Sequence, residues 1–208
     1  MNEPRMADAI RAGKDIHQAN ADAWGVTRSK AKNGIFAVNY GSMAKTLSKT
    51  INSTEQEAQQ LLDSINNGMP AIQKLKEMVW GYTRRNNGTI YDLFGHKLTY
   101  PNINSENKWE RLEAERQVFN ALIQSGAGAI FKELTLRAFP LLKTNDSYIS
   151  FVVHDEMGVL APTNIANDVA HKLTKVFCAN DILAHEDWHV PVTAEFHVGR
   201  NWNEAKNA

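Results

Sequence analysis

Arg28, Lys32, Phe36 and Tyr40 recur at intervals of four residues, and Gly41 closes the run. Side chains four apart stack along one side of an α-helix and drift slowly around its axis. The pattern therefore commits residues 27–40 to a helix, with Thr27 placed as its N-cap. Read along the helix, the stripe runs cation, cation, aromatic, aromatic. Two cations suit a polyphosphate, and two aromatic faces suit a base and its sugar. Such a helix can carry a nucleoside triphosphate along its length. The surroundings agree: from Ala23 to Thr54 there are five Lys or Arg (Arg28, Lys30, Lys32, Lys45, Lys49) and no Asp or Glu. A local basic field of that kind attracts phosphates.

The rest of the chain sets the frame. With 208 residues and 43% hydrophobic content it can bury a core, as one domain or two small lobes. The formal net charge is zero, so any contact with nucleic acid rests on how charge is distributed rather than on its sum. Cys178 is the single cysteine, which excludes an internal disulfide and a cysteine-based zinc site. It lies in the apolar stretch 173–183 and reads as a buried thiol. No apolar run reaches membrane-spanning length and the N-terminus lacks a signal-peptide pattern, so the expectation is a cytoplasmic protein that does not engage a membrane.

The periodicities predict an α+β chain, mostly helical, with a small antiparallel sheet late in the sequence. Helices are expected over 4–24, 27–40, from Thr54 to the Asn66-Asn67-Gly68 break, and from Pro70 to about Arg85. Thr54 and Glu57 form a capping box, and Pro70 suits a first helical turn. Asn87-Gly88 signals a turn, and TIYDLFGHKLTYP reads as two short strands around a second turn at Gly95. A long helix follows from about Glu106 to Phe139, eased at Gly126 and Gly128. Residues 148–153 and 157–161 are the arms of a hairpin, residues 164–179 a helix, and 190–198 a terminal strand.

Two further constellations bear on chemistry. In FVVHDEMGVLAP, apolar arms flank His154, Asp155 and Glu156 and place them at a hairpin tip. A carboxylate fixed there suits a hard divalent cation such as Mg²⁺, which takes carboxylate oxygens and substrate phosphates together. In RQVFNALIQSGAGAIFK, Arg116, Asn120 and Gln124 share one helical face at i, i+4, i+8. Donors on such a stripe can meet the acceptors that every base pair presents in the minor groove, and so test the shape of a pair without reading its sequence.

The segment RSKAKNGIFAVNYG resembles the fingers-helix motif of the family A DNA polymerases, R-x-x-x-K-x-x-x-F/Y-x-x-x-Y-G, at every fixed position. The HDE triplet resembles the palm motif of the same family, the Arg116 stripe its long palm helix, AGKDIHQA the helix before the fingers motif, and GRNWNEAK its closing residues. Motif order and spacing agree from residue 9 onward. The resemblance implies a fingers subdomain over about 1–105 and the C-terminal palm portion over 106–208. It implies dNTP binding by His17, Arg28, Lys32, Phe36 and Tyr40, and primer–template contacts by Tyr40, Arg116, Asn120, Gln124 and His154. It implies Mg²⁺ on Asp155, with Glu156 assisting and Arg28 and Lys32 sharing in catalysis, and Trp202 packing on the palm. The family commonly has Arg after LFG, whereas His96 and Lys97 stand there here. Phe at position 36, rather than Tyr, goes with rejection of dideoxynucleotides in the family.

The family also has an earlier palm motif resembling DYSxxELR, which supplies a second metal-binding Asp and a Glu that crowds a ribose 2′-hydroxyl. That motif falls before residue 1, as do the thumb and any exonuclease. Two-metal nucleotidyl transfer needs ligands clamping both ions, and Asp155 and Glu156, adjacent on one turn, do not replace a carboxylate from a facing strand. The expectation is the C-terminal part of a split polymerase, such as a phage might encode, inactive alone and completed by a protein carrying the N-terminal portion. The alternatives are a non-catalytic nucleotide- or DNA-binding remnant, a truncated polymerase sequence, or a single-subunit RNA polymerase fragment. The last usually has Met in place of Phe36 and HDS in place of HDE.

Overall fold

A computed structural model describes residues 4–178 and 190–207. Nine helices and four strands are formed among them, and the chain divides into two compact units, 1–125 and 126–208.

In the first unit, α1 (Pro4–Arg11) and α2 (Ile16–Trp24) replace the single helix expected over 4–24. The break falls at Gly13, and Asp15 restarts the helix by accepting from the backbone N–H groups of His17 (2.8 Å) and Gln18 (3.1 Å). Spacing alone hid this break, because apolar residues on either side of it keep a helical period. The helix α3 (Arg28–Asn39) begins where expected, with the Thr27 hydroxyl accepting from Lys30 N–H. A short helix that the sequence reading did not foresee, α4 (Ala44–Thr50), follows it; its N-cap Met43 has no side-chain capping bond. The helix α5 (Glu55–Gly68) carries the Thr54–Glu57 capping box in full, and α6 (Pro70–Arg85) opens on its proline. Leu47, Ile65 and Met69 are the largest wholly buried side chains of the core beneath α3, α4 and α5.

After α6, Gly88 turns the chain at φ 79°, and a Cβ there would meet the carbonyl of Tyr100 at 2.5 Å. Only glycine satisfies both the backbone sign and the close approach. Strands β1 (Thr89–Tyr91) and β2 (Lys97–Thr99) pair antiparallel, Ile90 opposite Leu98. Pro101–Asn104 then form a 3-10 turn. The helix α7 (Lys108–Thr144) is 37 residues long and continues through Gly126, Gly128 and Pro140. Glycine lowers helix stability without breaking the hydrogen-bond ladder, so the expected easing is absent. The division between the units falls within this helix, after Ser125. Its first half packs Ala114, Val118 and Phe119 against Val79, Ile90 and Ile103.

In the second unit, β3 (Tyr148–Val153) and β4 (Glu156–Leu160) form the expected hairpin, with a register irregularity between Ile149 and Phe151. The helix α8 (Ala166–Phe177) packs Val169, Leu173 and Phe177 against Leu134, Ala138 and Leu142 of α7. Residues 179–183 of the apolar stretch around Cys178 lie outside the described residues; Cys178 itself is half-buried, and Ala194 N–H donates to its Sγ at 3.3 Å. The strand expected over 190–198 is not formed among the described residues. Its period-two pattern has a different cause: Val192, Ala194 and Phe196 pack inward on the α7–α8 core as irregular chain. A short α9 (Trp202–Lys206) closes the chain, capped by Asn201.

Candidate nucleotide and nucleic-acid site

In the first unit, α3 gathers the stripe as its spacing requires. Arg28 and Lys32 are exposed near the positive end of the helix, where the dipole also favours anions. Lys32 Nζ lies 5.9 Å from the centroid of the Phe36 ring. Phe36 and Tyr40 stack, 6.2 Å apart and 25° from parallel, and both stay about two-fifths exposed. These rings stand on the face of α3 opposite the one that buries Ala31, Ile35 and Val38, so they lie outside the core and stay accessible.

The helix α2 brings His17 to this row, its ring 6.4 Å from that of Phe36. Burial pushes the imidazole below its usual value; Asp15 opposes this, and Arg28 and Lys32 add to it. Its Nδ1 is buried and has no hydrogen-bond partner among the described residues.

One partner was invisible to sequence spacing. Asp15 Oδ2 accepts from Arg28 Nε at 2.6 Å. The Arg28 bond, with the Gln18 and His17 N–H groups, holds the Asp15 carboxyl below its ordinary range. The pair is about half exposed, so it is loose and screened.

At the other end of α3, Gly41 has φ 63°, and a Cβ there would lie 2.7 Å from Arg116 Cγ. The glycine after Tyr40 thus has a local cause: the Arg116 stem lies against the backbone that ends the helix. Gln124 Nε2 donates to Tyr40 Oη at 3.1 Å. Asn120, between them on α7, is half-buried. The stripe of Arg116, Asn120 and Gln124 and the stripe of α3 therefore meet at Tyr40.

The LFG turn is held by Asp92, whose side chain is wholly buried. It accepts from the N–H groups of Phe94 (2.9 Å) and His96 (2.8 Å), from His96 Nδ1 (2.8 Å) and from Ser125 Oγ. Burial alone raises its pKa, but the bonds from Ser125 and His96 outweigh it and hold the carboxyl far below the usual range. Leu93, Phe94, His96 and Lys97 are left exposed. The sequence reading did not single out Asp92; its place three residues before Gly95, at the start of the turn, was the available signal.

In the second unit, the hairpin tip is narrower than the sequence suggested. His154 and Asp155 make the turn, and Glu156 is the first residue of β4, opposite Val153. All three are exposed. His154 has φ 56°, a left-handed conformation uncommon for a residue with a Cβ. Asp155 has no hydrogen-bond partner among the described residues. Glu156 accepts from Trp202 Nε1, and the Trp202 ring meets Phe151 edge-on at 5.6 Å. Trp202 thus packs on the hairpin, as expected. No group of three or more His, Cys, Asp or Glu suited to a metal exists among the described residues. Asp155, a solvent-facing carboxylate on a strand-anchored turn, fits one oxygen ligand of a hard cation that draws its other ligands elsewhere. No helix among the described residues is long and apolar enough to cross a membrane.

Comparison with known proteins agrees with the motifs. DNA polymerase family A matches residues 1–204. The thermostable DNA polymerase I of Thermus filiformis is 32% identical over 209 residues, covering 95% of this chain and 24% of that protein. The DNA polymerase I of Pseudomonas aeruginosa is 29% identical over 211 residues, with 96% and 22% covered. The solved POL domain of Pol1 from M. smegmatis, in complex with DNA primer-template and dNTP, superposes with a TM-score of 0.85 at 21% identity over 98% of this chain and 37% of that one. The chain spans about a quarter of the length of the curated relatives it matches. An α+β chain with these motifs, matched almost end to end, belongs to DNA polymerase family A.

Proposed function

We propose that this chain is the fingers, over about 1–105, and the C-terminal palm, over 106–208, of a DNA polymerase that adds deoxynucleotides to a primer 3′-OH under template direction and releases pyrophosphate. The observation that carries this reading is the assembled row of His17, Arg28, Lys32, Phe36 and Tyr40 on one face of the first unit.

On this reading Arg28 releases Asp15 and takes a phosphate oxygen in its place. Lys32 and His17 hold the neighbouring phosphates, and the three donors neutralise charge as it develops on the leaving pyrophosphate. The ring of Phe36 lies against base and sugar, and Tyr40 stacks beside the template position. Arg116, Asn120, Gln124 and His154 contact primer–template. Asp155 holds Mg²⁺, with Glu156 beside it; bound there, the ion screens phosphate charge and helps orient the transferring group.

The second catalytic carboxylate comes from the N-terminal portion of a polymerase. In support, the β3–β4 sheet has two strands only among the described residues, and the cross-strand pair Tyr148 and Leu160, with Val152 and Val153, is exposed. An open apolar sheet of this kind is a surface that another strand covers.

The test is primer extension with Mg²⁺. The chain alone gives none; addition of a protein carrying the DYSxxELR portion gives template-dependent extension, and Asp155→Ala abolishes it. Strong extension by the chain alone contradicts the missing-carboxylate argument. DNA binding with no gain from any such protein marks a remnant.

A further inference from the structure

One face of α6 carries three polar donors at i, i+4, i+8: Lys76, Trp80 and Arg84. Each reaches a different backbone or side-chain acceptor on a neighbouring helix. Trp80 Nε1–H donates to the Glu115 carbonyl of α7 at 2.8 Å, and Arg84 pairs with the Glu115 carboxylate. Lys76 goes the other way: its Nζ donates to the Val38 carbonyl of α3, and lies 5.3 Å from the centroid of the Phe119 ring of α7. Lys76 is 6% exposed, and burial depresses its pKa. An ammonium so enclosed is costly unless it is bonded, and three features offset that cost here. The acceptor is a carbonyl in the last turn of α3, at the negative end of the helix dipole; the aromatic face adds attraction; and the bond is charge-assisted.

The place of that bond gives it a role. Val38 lies between Phe36 and Tyr40, and its carbonyl also accepts from Gly41 N–H at 3.2 Å. The last turn of α3 is thus held by Lys76 from α6, while Arg116 and Gln124 of α7 hold Gly41 and Tyr40. Because Trp80 and Arg84 fix α6 to α7 at Glu115, the whole set is one frame around the end of the stripe.

We propose that Lys76 is a positioning residue for the nucleotide face: by tying the last turn of α3 to α6 and α7, it sets where the Phe36 and Tyr40 rings stand. It touches no substrate and acts only through α3. The inference rests on the nucleotide reading above for its consequence, but not for its geometry.

The test compares the full chain with Lys76→Met, with Lys76→Arg, which keeps a cationic donor, and with Val79→Ala, which cuts the same buried core without touching α3. Two readouts are taken: amide exchange at Tyr40, Gly41 and Ser42, and equilibrium binding of dGTP. Lys76→Met is expected to speed exchange at those amides and weaken dGTP binding by about tenfold each, the scale of one charged hydrogen bond. Val79→Ala, which lowers the melting temperature, leaves both close to wild type, and Lys76→Arg restores part of the loss. A Lys76→Met protein that matches Val79→Ala in exchange overturns the proposal. So does one that binds dGTP as wild type does. Failure of the wild-type chain to bind dGTP sinks the nucleotide reading instead, and exchange at residues 40–42 then decides the role of Lys76 by itself.

Discussion

The two candidate centres of this chain are built in opposite ways. In the first unit, the aromatic end of the α3 stripe is held: Tyr40 by Gln124, Gly41 by Arg116 and the last turn of α3 by Lys76, while Arg28 pairs loosely with Asp15. In the second, the exposed Asp155 stands on a two-residue turn with no hydrogen-bond partner among the described residues, and only its neighbour Glu156 is held, by Trp202. A binding face gains from being formed before the ligand arrives, because ordering costs are then met in folding. A metal-binding carboxylate must instead stay open to an ion whose remaining ligands come from elsewhere. The difference teaches that the first centre is assembled within one unit of this chain, whereas the second offers a single open carboxylate.

The contrast can be broken at its supports. Asp92→Ala removes the anchor of the LFG turn and strands its four donors, so it should lower the stability of the first unit by about 3 kcal/mol, read by chemical denaturation. The pH dependence follows from the sign of the shift. The folded pKa of Asp92 lies far below the ordinary aspartate value, so its stabilisation is complete above that ordinary value and is lost as pH falls from there through the folded pKa. Asp92→Asn should flatten that acid limb.

Lys32→Ala should weaken metal-free dGTP binding by about tenfold, the worth of one charged hydrogen bond, while Asp155→Ala should leave it unchanged. Equal losses in the two variants would erase the distinction between a formed and an open centre. Trp202→Phe keeps the ring contact with Phe151 but removes the donor to Glu156; a loss near 1 kcal/mol is expected in thermal unfolding. Asp15→Asn should have the smallest effect. Freeing Arg28 from an exposed pair should raise dGTP affinity roughly twofold, and the gain should fade in high salt.

Much of this was legible in the sequence, for reasons that particular residues show. The α3 stripe, the Thr54 capping box and the β3–β4 arms depend on local periodicity and capping, which a sequence displays directly. The break between α1 and α2 did not show, because it depends on Gly13 and on Asp15 re-capping the chain within an unbroken apolar period. The segment 192–196 misled for a related reason: alternation records which side faces a core, not whether a partner strand exists. Lys76 and Asp92 were silent, since a lysine on a helix and an aspartate before a turn read as solvent-facing until burial and partners are known. Motif resemblance supplied the candidate site residues, but not the Asp15 ion pair on Arg28.

His154 carries a last consequence. Its left-handed backbone costs on the order of 1 kcal/mol that glycine would not incur. Libraries of this protein screened for heat tolerance alone should therefore drift toward glycine or asparagine at 154 and discard an imidazole beside Asp155. A programme that hardens this chain against temperature must therefore hold residue 154 fixed, or score primer extension with the N-terminal polymerase portion supplied, to test the proposed role of His154.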